Sequence, residues 1–181
     1  MTIRPAEANE RHVVLDIERR AFGNMKGPVI ASLVDALLDD PTAAPVLSLL
    51  AFDKDRAVGH ILFTKVAIVN GGASPSAAIL APLAIVPEAQ GRGIGGRLIQ
   101  DGLRRLAEKG VALVFVLGHP EYYPRHGFQP AGVLGLAAPY LIPEEHAAAW
   151  MVQEMRPGVL GTVKGALKCA DALNRPEHWR E

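Results

Sequence analysis

Gln90-Gly91-Arg92-Gly93-Ile94-Gly95-Gly96 is the stretch that decides how this chain is read. Four of its last six residues are glycine, so a partner can come close to the backbone. An apolar run, Ala78 to Val86, precedes it and a periodic segment follows. At the start of a helix, free N–H groups and the positive end of the dipole converge. Successive amides there form a concave nest for an anion. The stretch therefore predicts a phosphate site, suited to the pyrophosphate of a nucleotide-bearing cofactor.

The residues after the loop support that placement. Gly95, Leu98, Ile99, Gly102, Leu103 and Leu106 share one face of a 3.6-residue period, and Arg97, Asp101, Arg104, Arg105 and Glu108 take the other. Gly110 is a C-terminal stop. Val111 to Leu117 is almost wholly aliphatic and reads as a buried strand. The order strand, glycine loop, helix, strand is a βαβ unit.

Two other loop types fit poorly. Gly91-x-Gly93-x-x-Gly96 matches the letters of the dinucleotide fingerprint, which calls for a carboxylate about 20 residues on. Here the next strand ends Val116-Leu117-Gly118-His119, and Glu121 lies beyond a proline. A nucleotide-dependent oxidoreductase is thereby disfavoured. A Walker loop needs Gly-Lys-Ser or Gly-Lys-Thr, which occurs nowhere.

A third type fits at every step. Gln90-x-x-Gly93-x-Gly95, within Leu83 to Gly95, resembles the [RQ]-x-x-G-x-[GA] signature of the GNAT acyltransferases, which bind acetyl-CoA. Tyr122-Tyr123-Pro124-Arg125-His126-Gly127-Phe128 is similar to that family's aromatic-Tyr-x-x-x-Gly-Phe segment. The two motifs stand in the family's order, with a helix and a strand between them. The resemblance covers roughly residues 2 to 132. It implies an α/β (α+β) fold with a mixed, mostly antiparallel central sheet and helices on both faces. It also implies one domain over residues 1–181, with a core of about 2–132 and an extension of about 133–181.

Composition narrows the remaining classes. With 181 residues, 49% of them hydrophobic, the chain can bury one well-formed core. Nineteen basic residues balance nineteen acidic ones, which gives no support for nucleic acid or an anionic membrane as partner. The single cysteine, Cys169, allows no internal disulfide and no cysteine metal cluster, and reads as a small buried hydrophobe. The start, Met1-Thr2-Ile3-Arg4-Pro5, has no signal-peptide core, so a cytoplasmic protein is expected.

The rest of the chain falls into place around the βαβ unit. Thr2 to Arg4 is extended. Val13, Val14, Ile17 and Ala21 mark a helix with Asn9 as N-cap and Gly23 as stop. Gly27-Pro28 opens a second helix that buries Ile30, Leu33, Val34, Leu37 and Leu38. Val46 to Phe52 and Ala57 to Val69 read as an antiparallel hairpin turned at Asp53-Lys54-Asp55-Arg56. The second of these strands is apolar on both faces and so central. Asn70-Gly71-Gly72 and Ser74-Pro75-Ser76 make the next turn. Beyond Phe128, Gln129 to Gly135 is expected to be a strand and Pro139 to Glu145 a loop. Ala147 to Met155 reads as strand or short helix, Gly158 to Gly165 as loop, Lys164 to Leu173 as helix, and Arg175 to Glu181 as a polar tail.

Acetyl transfer to an amine must hold the cofactor, take a proton from the amine and stabilise the leaving thiolate. The resemblance implies that the backbone of Ile85 and Val86 pairs with the pantetheine arm, while Gln90, Gly91, Arg92, Gly93, Ile94, Gly95 and Gly96 cradle the pyrophosphate. Tyr123 matches the tyrosine that, in many members, donates to the coenzyme A thiolate. It is also expected to touch the cofactor, and Tyr122 to be structural. Many relatives carry a glutamate base on the strand before the loop, but here that strand reads Ala81-Pro82-Leu83. His119, at the end of the next strand, is the candidate base, since imidazole titrates in the useful range. Glu18 and Glu121 have less support, and His60 reads as a satisfied core histidine. No metal-ligand pattern occurs. Expected partners are acetyl-CoA and a small-molecule, peptide or protein amine; a homodimer stays open, and the alternative is a non-catalytic acyl-CoA sensor on the same fold.

Overall fold

The computed structural model describes residues 1–70 and 72–180; Gly71, in the expected turn after Asn70, and Glu181, the end of the expected tail, lie outside them. Strands β1 (Thr2–Pro5), β2 (Leu47–Asp53), β3 (Arg56–Val69), β4 (Ala77–Ile85), β5 (Leu113–Leu117), β6 (Gln129–Pro130), β7 (Leu136–Ala137), β8 (Trp150–Glu154) and β9 (Gly165–Lys168) build the sheet. Its main order is β1-β2-β3-β4-β5-β8-β6, and β9 pairs with both the far end of β3 and β7. The pairs β4–β5 and β7–β9 are parallel and the others antiparallel, so the sheet is mixed and mostly antiparallel. Helices α1 (Arg11–Asp39) and α2 (Ile94–Glu108) cover its two faces.

Alternation along β3 proves the opposite placement of the helices. Gly59 touches Leu98 of α2, and Phe63 lies against Gly102 of α2. His60, between them, points the other way and bonds Glu18 of α1. Seven consecutive residues of β3 are buried, as a strand covered on both faces requires.

The stretch read as two helices is a helical hairpin. Gly23, at φ 78° and ψ −178°, breaks α1 into limbs of residues 11–22 and 24–39. The limbs fold together, with Gly27 packed on the Arg19 carbonyl and Arg11 clasping Asp35 and Asp39. Two expected details shift. Helical geometry starts after a 3-10 turn, Ala8–Glu10, in which Glu7 and Glu10 form a capping box, so Asn9 is not the cap. Pro28 lies inside the second limb rather than at its first position.

The C-terminal region departs most from expectation. Gln129 to Gly135 pairs only over β6 and then enters a 3-10 turn at Gly132–Leu134. Glu144–Ala149 is 3-10 and Trp150–Glu154 is a strand, so both readings of the Ala147 to Met155 segment are partly realised. Lys164 to Leu173 is not helical: its first part is β9, paired with Ala67–Val69 of β3. The tail is anchored. Trp179 is buried against Trp150, and Asp171 and Ala172 donate their N–H groups to Thr42 and Asp40. Cys169, just past β9, is buried, as expected of a small hydrophobe. No described helix is long and apolar enough to cross a membrane.

Candidate active site

The site is built where β4 and β5 part. Their parallel pairing runs from Ala77–Leu113 to Leu80–Val116 and stops. Beyond it β4 continues to Ile85, paired only with β3. A register shift opposite Leu62, at Ala81 and Pro82, marks the parting.

The orientation of the freed groups follows from one bond. The Val86 N–H donates to the Val58 carbonyl at 3.0 Å. In an antiparallel ladder, bonded and non-bonded pairs alternate. Gly59–Ile85 and Ile61–Leu83 are therefore the non-bonded pairs, and the polar groups of Ile85 and Leu83 point away from β3 into the opening. Val86, expected beside Ile85 on the cofactor, has neither group free. Its N–H is taken by Val58, and its carbonyl accepts from the Ala89 N–H at 2.9 Å.

The glycine loop lies at the mouth of this opening. Gly91 and Gly93 adopt φ of 76° and 77°, the left-handed region that other residues avoid. Among the described residues, no backbone acceptor takes the N–H groups of Gly91, Arg92 or Gly93. Ile94, Gly95 and Gly96 open α2, and the first intrahelical bond belongs to the Arg97 N–H. Six consecutive amides, Gly91 to Gly96, thus have no backbone acceptor among the described residues and stand at the positive end of a helix.

Gly95 and Gly96 serve a different purpose from the first two glycines. A Cβ on Gly95 would stand 2.7 Å from the Tyr122 hydroxyl and 3.5 Å from Leu83. A Cβ on Gly96 would stand 2.8 Å from the His126 ring. On their Cα side these two residues meet the aromatic segment. The two motifs are one packed unit, and Tyr122, read as structural, has its hydroxyl at the start of α2 beside the open strand.

Tyr123 is 8% exposed, its ring edge-on to Tyr122 and Phe128 and close against Gly118. Burial raises its phenol above the ordinary value of 10, so it keeps its proton. Burial also holds the His126 imidazole below its ordinary range. His119 is exposed just past β5, and its carbonyl accepts the N–H groups of Tyr122 and Tyr123 at 3.1 and 3.3 Å. The candidate base and the candidate donor are thus tied through one turn.

Charges around the loop are paired. Arg92 bonds Asp53 of the β2–β3 turn at 3.2 Å. Glu88 bridges Arg20 of α1 and Arg56 of β3. No group of three or more potential metal ligands occurs among the described residues.

Between α1 and strands β2 and β3 lies a polar chain that the sequence did not disclose as a unit. Glu18 Oε1 is 2.6 Å from His60 Nδ1, and His60 Nε2 is 2.8 Å from Ser48 Oγ. Glu18 and His60 are fully buried, and Glu18 Oε2 has no partner. His60 pairs with Ala84, between the two open-edge residues. His60 is the core histidine that was expected; its carboxylate partner, 42 residues away, leaves no local signal.

Residues 2–131 match the family model described as an acetyltransferase (GNAT) domain. The chain is 52% identical over 159 residues to the uncharacterized N-acetyltransferase YjhQ of Escherichia coli K12, covering 87% of this chain and 86% of that protein. It is similar to the solved GNAT family N-acetyltransferase YhbS of Escherichia coli in complex with CoA. That match has 28% identity and a TM-score of 0.84, over 96% of this chain and 92% of the other. It is also similar to a GNAT family acetyltransferase of Brucella melitensis in complex with acetyl-CoA. There the identity is 28% and the TM-score 0.73, with 95% and 97% covered.

Proposed function

The chain belongs to the GNAT acetyltransferase family, and we propose that it moves an acetyl group from acetyl-CoA to a primary amine by direct attack on the thioester. The observation that carries this reading is the run of six amides without a backbone acceptor, among the described residues, at the mouth of an open strand edge. The amides suit a pyrophosphate. The Leu83 and Ile85 edge suits an arm that carries its own amides, added as a further strand. Core residues of about 2–132 and the extension of about 133–181 are read as one acyltransferase domain.

In this reading Tyr123 donates a hydrogen bond to the departing sulfur. A thiol has a reference pKa of about 8.5 and a phenol about 10. Burial widens that gap, so Tyr123 stabilises the thiolate without giving up its proton for good. The proton that finally neutralises sulfur comes from the acylated amine. His119 is read as the group that takes up the amine's other proton, directly or through one water. The acceptor is a small-molecule, peptide or protein amine. The non-catalytic alternative has no observation in its favour.

Calorimetry with coenzyme A, followed by an acetyl-CoA consumption screen over an amine library, tests the proposal. Saturable binding and turnover with at least one amine are expected. Absence of heat with coenzyme A would overturn it.

A further inference from the structure

The open edge of β4 offers four main-chain groups, the N–H and carbonyl of Leu83 and of Ile85. A side chain of the protein already serves one of them. The Gln90 Nε2 donates to the Ile85 carbonyl at 3.0 Å. Gln90 is exposed, and it lies between the strand and the glycine loop. Its carboxamide has the chemistry of a peptide N–H, presented where a neighbouring strand's N–H would be.

We propose that Gln90 is a displaceable stand-in for an amide of the pantetheine arm, holding the Ile85 carbonyl until the arm takes it. The inference rests on the reading that the arm adds to β4. Binding there trades one hydrogen bond for another, so the Ile85 carbonyl contributes little net affinity. The Leu83 groups and the Ile85 N–H, which no side chain serves among the described residues, contribute their full share. Gln90 also lies at the junction between arm and nucleotide, so its release follows arm binding and not phosphate binding. This makes Gln90 a specificity-determining residue. A carrier with an amide at that point completes the exchange, and one without it must leave the carbonyl stranded or leave Gln90 in place.

The test compares the full-length wild type with Gln90→Met, which keeps the length and loses the donor, and Gln90→Ala. Each is titrated calorimetrically with coenzyme A and with 3′-phosphoadenosine 5′-diphosphate, which keeps both pyrophosphate phosphorus groups and lacks only the arm. Both variants are expected to bind coenzyme A roughly three- to tenfold more tightly, the value of one net hydrogen bond, with the armless diphosphate changed less than about twofold. In the wild type, the Gln90 side-chain NH2 resonances are expected to move with coenzyme A and stay in place with the armless diphosphate. Equal or weaker coenzyme A binding by both variants, or an equal gain for the armless diphosphate, overturns the proposal while the cofactor reading stands. A wild type that binds no coenzyme A overturns both.

Discussion

The Tyr122 hydroxyl occupies the place beside Gly95 where a side chain would begin, 2.7 Å from a Cβ built there. The close approach ties the aromatic segment to the start of α2 and predicts a pairwise energy. Gly95→Ala should destabilise by about 1–3 kcal/mol through overpacking. Tyr122→Phe removes the offending oxygen, so the double variant should recover at least about 1 kcal/mol of that loss. A urea-denaturation cycle over the four proteins measures it. Strict additivity would mean that the ring moves aside at no cost.

Tyr123→Phe should leave coenzyme A affinity within a few-fold of wild type. It should lower kcat by on the order of 10²-fold, the lower range for a positioned proton donor. Calorimetry and acetyl-CoA consumption with a responsive amine read the two quantities separately. Unchanged kcat would remove Tyr123 from the reaction.

His119→Gln should lower kcat/KM by on the order of 10²-fold. His119 is exposed, so thermal stability should stay near that of wild type. Unchanged kcat/KM would assign the base elsewhere.

The Glu18–His60 pair predicts both a magnitude and a sign. His60→Leu strands a buried carboxyl, one of whose oxygens already lacks a partner, and should cost about 1–3 kcal/mol. Burial, opposed by the bond to His60, raises the Glu18 carboxyl above its ordinary 4.5. The folded protein then holds a proton that the unfolded chain releases. Stability from this group is complete below about pH 4.5 and is lost as pH rises through the folded value. Glu18→Gln cannot lose that proton. The stability of wild type relative to Glu18→Gln should therefore decline from about pH 4.5 upward in urea titrations. A relative stability that rises with pH would reverse the sign of the effect.

Legibility in the sequence tracked how local each cause was. The α2 face repeats within eleven residues, and the β2–β3 turn is four adjacent residues, so both could be read directly. That the glycine loop opens α2 was readable directly. Its division of labour was not, because the partners of Gly95 and Gly96 are Tyr122 and His126 on a later turn. The bonds of Val86 were not legible for the same reason: which way a strand residue turns its N–H depends on the register with Val58. The composition of the stretch after Lys164 allows a helix. The stretch is a strand because the far end of β3, about a hundred residues earlier in sequence, offers an unpaired edge. Ser48, Glu18 and His60 lie on three different elements and meet only once the sheet is formed.

The lone thiol turns the anchored C-terminal region into a reporter on itself. Burial pushes Cys169 up to about 11, so almost no thiolate exists at neutral pH, and the sulfur is sealed beside β9. A thiol reagent can reach it only when this part of the chain lets go of β3. Labelling rates on the unmodified protein would therefore time that detachment, with no engineered probe and no background from a second site.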